Sequence, residues 1–388
     1  MNRVALALLL LLCVGVVLLP RQAPACGVAP PEFGRVDIST ESALIVWDEA
    51  TKTEHFIRRA IFQSTSLDFG FLVPTPTKPD MEEADDNLFV ELAKLTAPKI
   101  EERTTYALSF GCGYKMSPAG RNDHAPGGGV VLLQRKRVGP FEAATLGFDL
   151  RSGDDVETGA AGLAKWLTEN KYPFTPALKE WSKVYIRDNW VITAFKIDAP
   201  PPEDVSKPTN SGVTVPSAKG NPQQRDQGYT LKAAAVRMSF KTPRPFYPYR
   251  EPANQRDAAA SQVPRSLQVF VAAENRMAGK LGDGAQPWPG RVQWANAVAT
   301  ETWPGLLAQA RVTATPGALW LTEFEDRSTP RPGTDEVYFE PSADQSAIAR
   351  PPSIRWVHNE TPWTIGFFTA LGLPALAIAF LLLRRLRR

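Results

Sequence analysis

Three histidines and three cysteines are the residues here best suited to acid–base, nucleophilic or metal chemistry. His55 falls in an alternating run, Thr53 to Gln63, and reads as a side chain on one strand face. His124 stands beside Asp123 in a glycine-rich loop, and His358 lies just ahead of the last apolar run. A lone histidine is far more often structural or solvated than catalytic. Asp85-Asp86 and Asp154-Asp155 could pair as acid and base, yet both fit helix starts, where acidic residues meet the positive end of the helix dipole. Gly-x-Ser-x-Gly, His-Glu-x-x-His, Walker, Cys-x-x-Cys and Ser-x-x-Lys patterns are all missing. Gly111-Cys112-Gly113 and Gly127-Gly128-Gly129 lack the remaining glycines and the strand–helix context of a phosphate cradle, so both read as turns. The expectation is therefore no catalytic, cofactor-binding or metal-binding residue.

The cysteines are read from what surrounds them. Cys13 lies in the apolar run Val4 to Leu19, which follows Arg3 and precedes the small-residue site Ala23-Pro24-Ala25. This is the three-part pattern of a signal peptide, residues 1–25, cleaved after Ala25. Cys26 and Cys112 then remain in an oxidising compartment, and a disulfide between them is the economical reading. It closes a loop of about 87 residues and stabilises by roughly 4–5 kcal/mol at most. Lipid attachment at Cys26 is the rival; it calls for a Leu-like residue three positions earlier and a small one two earlier, and Ala23 and Pro24 match poorly.

At the other end, Thr364 to Leu383 holds about 20 residues without a charge, enough for a helix to span a hydrocarbon core. Arg384-Arg385-Leu386-Arg387-Arg388 follows, and positive charge stays on the cytoplasmic side. The expectation is a transmembrane helix at 363–383, a cytoplasmic tail at 384–388, and everything earlier outside. Trp356 and Trp363 are placed as interfacial anchors. The net charge of +3 belongs to these two ends; the region between them is mildly acidic and offers nucleic acid no basic surface. The expected partners are the bilayer, through one C-terminal helix, and an envelope protein or glycan.

Between the ends the pattern is sheet. Ala43, Ile45 and Trp47 alternate with Leu44 and Val46, so both faces are apolar and this strand is central. Further strands are expected at Phe69 to Val73, Thr104 to Phe110, Val130 to Gln134, Trp190 to Ile197, Leu231 to Phe240, Ser266 to Ala273 and Ala318 to Phe324. Short helices follow Asp85-Asp86, run through Leu163, Trp166 and Leu167, start at Thr175-Pro176, and occupy Pro304 to Ala310. Residues 200–228 hold almost no large apolar side chain and read as a disordered insertion. The extracytoplasmic domain is expected at 26–327, with a sub-boundary near 242–264, and a Pro-rich stalk at 328–362. The fold class is α+β: an antiparallel, sheet-dominated ectodomain with short covering helices and one C-terminal transmembrane helix. Phe71 to Pro76 with Pro243 to Pro248 form a candidate groove for an extended peptide or glycan.

Several of these stretches together resemble a family. Ala25-Cys26-Gly27, Phe71-Leu72-Val73-Pro74-Thr75-Pro76, Asp86-Asn87-Leu88-Phe89 and Val138-Gly139-Pro140-Phe141 are four of them. Leu163-x-x-Trp166-Leu167-x-x-Asn170-x-Tyr172, Tyr185 to Lys196 and Met238 to Tyr249 complete the set. The chain, over most of Cys26 to about Ala273, resembles the uncharacterised bacterial family called domain of unknown function 2330. The resemblance implies a secreted or membrane-anchored protein and brings no reaction or catalytic residue with it. The functional expectation is a non-enzymatic binding or structural module of the envelope; the alternative is an envelope hydrolase whose acidic or histidine groups are gathered by folding.

Overall fold

The computed structural model describes residues 28–29, 36–64, 70–105, 131–139, 141–148, 156–172, 174–197, 229–253, 265–284, 286–313, 319–358, 374, 376–378 and 380–385. The expected signal peptide, Cys26, Cys112, Asp154-Asp155, His124 and the insertion at 200–228 lie outside them.

In chain order the strands and helices begin with β1 (Val28–Ala29), β2 (Val36–Asp48), β3 (Thr53–Ser64), β4 (Gly70–Thr75), β5 (Asp80–Glu83) and α1 (Asn87–Leu95). Next come β6 (Ile100–Thr105), β7 (Val131–Val138), β8 (Phe141–Gly147), α2 (Val156–Glu169), α3 (Pro176–Arg187) and β9 (Val191–Ile197). Then follow β10 (Tyr229–Lys232), β11 (Val236–Lys241), β12 (Phe246–Tyr247), β13 (Ser266–Ala273), β14 (Met277–Leu281) and β15 (Arg291–Val298). A 3-10 turn (Thr300–Thr302), α4 (Trp303–Gln309), β16 (Leu319–Asp326), β17 (Val337–Pro341) and β18 (Ser353–His358) complete the order. They form two units, residues 1–96 with 117–349, and residues 97–116 with 350–388.

The larger unit is built in four layers. Its main sheet runs β15-β16-β13-β2-β3-β11-β5, with β10 also on β3; its second runs β1-β4-β9-β8-β7. Alternation along β2 explains the stacking. Ala43, Ile45 and Trp47 point into a core shared with Phe71, Val73, Phe141 and Phe195 of the second sheet. Leu44 and Val46 point the other way, against Leu88, Phe89 and Leu92 of α1 and Trp303, Leu306 and Leu307 of α4. In the second sheet Leu72, Leu146, Ile192 and Ala194 face outward onto Leu163, Trp166 and Leu167 of α2 and Leu178, Trp181 and Tyr185 of α3. Each sheet therefore buries both faces, which is why its strands read as apolar on both sides. A third sheet, β12-β17-β14, adds Phe246, Val337 and Phe339 to the inter-sheet core.

The helix boundaries follow local chemistry. The Thr175 hydroxyl accepts from Leu178 N at 3.1 Å, and Pro176 opens α3. Beyond α2, Asn170 Nδ2 donates to Trp166 O, Lys171 adopts φ 67°, and Tyr172 folds back to stack on Trp166 at 5.8 Å. Tyr172 also explains Gly70: a Cβ there would sit 2.2 Å from the ring's Cε1.

Several expectations are corrected. Pro74 does not end β4, because β1 pairs only with Gly70 and Phe71 and leaves Pro74 on an open edge. Two ladders are parallel, β13 on β2 and β18 on β6; long stretches of chain separate these strands and allow the crossover. A strand occupies Ile100–Thr105, overlapping the start of the one expected at Thr104 to Phe110, whose remainder lies outside the described residues. Residues 242–251 carry no boundary: Phe246, Tyr247 and Tyr249 are buried in the core. Residues 328–349 are no free stalk, since β17 pairs with β12 and β14 while Arg331 and Glu336 are buried. Proline content was read as solvent exposure there, but the charged residues of the segment have partners inside. Among the described residues no helix is long and apolar enough to cross a membrane.

Candidate functional site

The two segments expected to form a groove do meet. Leu72, Val73 and Pro74 of β4 and Tyr247-Pro248 line one cavity with Glu41, Arg58, Trp181 and Arg250. It measures about 30 Å³, room for a water or two rather than a substrate. A second cavity, about 20 Å³ among Phe71, Phe141, Phe195 and Met238, is smaller still.

Behind the groove lies a buried charge network. Glu41 Oε1 accepts from Arg58 Nε, and Arg331 Nη1 stands 4.0 Å from Oε2. Arg331 is also 3.9 Å from Glu251 and 3.8 Å from Asp326, and Arg265 Nη2 lies 2.7 Å from Glu251. Asp326 Oδ2 accepts from the Tyr249 hydroxyl at 2.7 Å, and its Oδ1 from Ser328 N. Burial pulls the Glu41 carboxyl upward, but Arg58, Arg331 and the Tyr247 hydroxyl outweigh it and hold its pKa below the usual value. Nearby, Glu336 takes the Tyr185 hydroxyl on Oε1 and Tyr249 N and Arg250 N on Oε2. Burial still leaves its pKa raised.

Glu54 is different. It is fully buried, accepts from Phe246 N at 2.9 Å, and has no arginine to balance it among the described residues, so burial raises its pKa well above 4.5. The folded chain thus keeps a proton that the unfolded chain releases. Its contribution to stability is full below the unfolded pKa and declines as pH rises from there toward the folded value. Glu54→Gln keeps the acceptor for Phe246 N. It is expected to flatten that decline and raise the unfolding midpoint at neutral pH, read from denaturant titrations at several pH values.

A polar cluster occupies the main sheet where β3, β11 and β5 run side by side. His55 and Ser239 are directly opposed in the ladder, with Nδ1 and Oγ 2.8 Å apart. Arg237 Nη1 donates to the same Oγ at 2.9 Å, while its Nη2 is held by Asp80 at 2.7 Å and Glu82 at 3.0 Å. Burial first, then Arg237 and Lys241, lower the His55 pKa to about 4 against the opposing pull of Asp48. The ring is neutral at pH 7; in the tautomer protonated on Nε2, Nδ1 accepts from the Ser239 hydroxyl. A serine paired with a neutral histidine is the arrangement that attacks acyl or phosphoryl centres.

Asp85-Asp86, the candidate acid–base pair, is spent on structure: Asp85 Oδ1 accepts from Asn87 N and Asp86 Oδ1 from Ala235 N. Arg331, Glu251, Asp326 and Ser239 were missed. Little in the sequence marks the network: Glu41 stands among Ser39, Thr40 and Ser42 in β2, and Asp326 ends β16 after Glu323 and Glu325. Among the described residues no three His, Cys, Asp or Glu gather as a metal would need.

These features define a class: a sheet-dominated protein of mostly antiparallel sheets and short helices, with ion pairs sealed into its core. Residues 20–210 match the family described as "Uncharacterized protein conserved in bacteria (DUF2330)". The match takes in the motifs from Ala25 to Lys196 and stops short of Met238 to Tyr249. No curated protein matches the chain. The solved structure named "Crystal structure of baculovirus P35" aligns with 84% of this chain and 100% of its own, at 8% identity and a TM-score of 0.33, too low to carry an argument.

Proposed function

We propose that this is an exported protein held in the cell membrane by one C-terminal helix, with its C-terminus cytoplasmic. Its outer region is a non-enzymatic binding or structural module of the cell envelope, meeting an envelope protein or glycan. The observation that carries this reading is the C-terminal run. Its described residues between 374 and 385 are helical, and Leu376, Phe380 and Leu381 are 69%, 66% and 60% exposed, with Arg384 and Arg385 behind them. An apolar helix surface left this bare calls for lipid. Alkaline extraction of membranes tests it: the full chain should stay in the pellet, and a chain ended before Thr364 should be released. Release of the full chain would sink the anchor. Cross-linking in the native membrane followed by native mass spectrometry tests the module: a stoichiometric envelope protein or glycan supports it.

A second reading, an envelope hydrolase, is favoured by one arrangement, the His55–Ser239–Arg237 set. Ser239 would pass its proton to His55 as it attacks. Treatment of the full chain with a fluorophosphonate decides it. Adduct mass on Ser239, abolished in Ser239→Ala and reduced in His55→Ala, supports a hydrolase, and an unlabelled Ser239 removes it.

A further inference from the structure

The smaller unit contains a two-stranded ribbon, β6 beside β18, in parallel register. Ile354 is paired with Glu101 and Trp356 with Arg103, so these four share one face; Arg355 and Glu102, 3.2 Å apart, lie on the other. Trp356 is 57% exposed and Ile354 41%, with Ile100 and Val357 exposed as well. A ribbon of two strands does not bury an apolar face by itself.

From this we infer that the Ile354–Trp356 face of the ribbon lies in the headgroup layer of the bilayer, as a second membrane contact beside the C-terminal helix. The inference rests on the anchor proposed above. Chain length confines the occupant. β18 ends at His358, and the uncharged run begins at Thr364. Six residue steps reach at most about 20 Å when fully extended and about 9 Å as helix, so β18 is held close to the hydrocarbon edge. The chemistry agrees. Indole is apolar with one N–H donor and settles at membrane interfaces. Arg103 on the same face offers its guanidinium to lipid phosphate, with Glu101 3.6 Å away. Parallel pairing then carries the function back along the chain: β6 is drawn to the membrane by β18, so two distant segments of sequence set the height of the protein above the lipid.

The test uses the full chain reconstituted into phosphatidylcholine–phosphatidylglycerol vesicles, with or without lipids brominated near the headgroup. The emission of Trp356 is taken as the difference between wild type and Trp356→Phe; the side chain is exposed, so this variant should fold. The expected result is a blue-shifted difference spectrum that brominated lipid quenches. Arg103→Ala should weaken that quenching while flotation with the vesicles is unchanged. If the protein floats but the Trp356 emission is water-like and unquenched, the ribbon inference is overturned and the anchor stands. If the protein does not float, both fall. An unquenched Trp356 in a protein that cross-links to itself through Ile354→Cys would assign the face to a second copy instead.

Discussion

Arg331→Met is expected to cost about 3–5 kcal/mol of stability, the penalty for removing one partner from a buried ion network. The side chain is 1% exposed and serves three carboxylates, those of Glu41, Glu251 and Asp326. Its three contacts fall between 3.8 and 4.0 Å, and Nε and Nη2 have no hydrogen-bond acceptor among the described residues. Its contribution is therefore mostly Coulombic, in a dry interior where such attraction is least screened. Methionine fills similar space, so loss of packing is minor. What remains is three anions with fewer counter-charges. Glu41 keeps Arg58, Glu251 keeps Arg265, and Asp326 keeps, among the described residues, only neutral donors, the Tyr249 hydroxyl and Ser328. Asp326 should therefore bear most of the cost, and adding Asp326→Asn to Arg331→Met should restore part of the loss. Urea unfolding of the full chain in detergent measures both. A loss under about 1 kcal/mol for the single variant would show that the network is not a stabilising seam.

The network also marks where sequence reading stopped. The alternation of β2 revealed a central strand because its apolar residues sit on both faces, and the core bears this out with Ile45 on one side and Val46 on the other. The start of α3 was legible in Thr175-Pro176 because capping is local chemistry. Glu41 and Arg331 are separated by nearly the whole outer region, and nothing near either names the other. The proline content around residues 328–352 suggested a stalk, yet Arg331 and Glu336 are what that segment contributes to the interior. His55 was placed on a strand face correctly, but its partner Ser239 lies 184 positions away. Local grammar reports elements, while a site is made by tertiary pairing.

The seam between the two sheets offers the other large effect. Phe195→Ala should cost about 3–5 kcal/mol, the usual range for emptying a buried aromatic site. Phe195 is 1% exposed and stacks on Phe71 at 4.9 Å and 14°, with Phe141 edge-on at 5.8 Å. Phe71 in turn stacks on Phe62 of the main sheet at 5.7 Å, and the Arg58 guanidinium lies 4.8 Å from its ring. The cluster thus carries both the apolar contact between the sheets and one wall of the charge network. The apolar cavity of about 20 Å³ already beside Phe195 would merge with the space left by the ring, and neighbours held in two ladders have little freedom to close it. Phe195→Leu, which keeps most of the volume and loses the ring stacking, should cost clearly less. If the two variants cost the same, the rings act together as a fixed geometric unit rather than as volume, and stacking, worth about 0.5–1.5 kcal/mol per pair, is the larger share. If Phe195→Ala costs under about 1 kcal/mol, the sheets are not held together at this point. The same Leu variant should leave the Glu41 network intact, so combining it with Arg331→Met should give additive losses. Strong coupling between them would mean that the aromatic cluster and the ion pairs form one cooperative seam through Arg58.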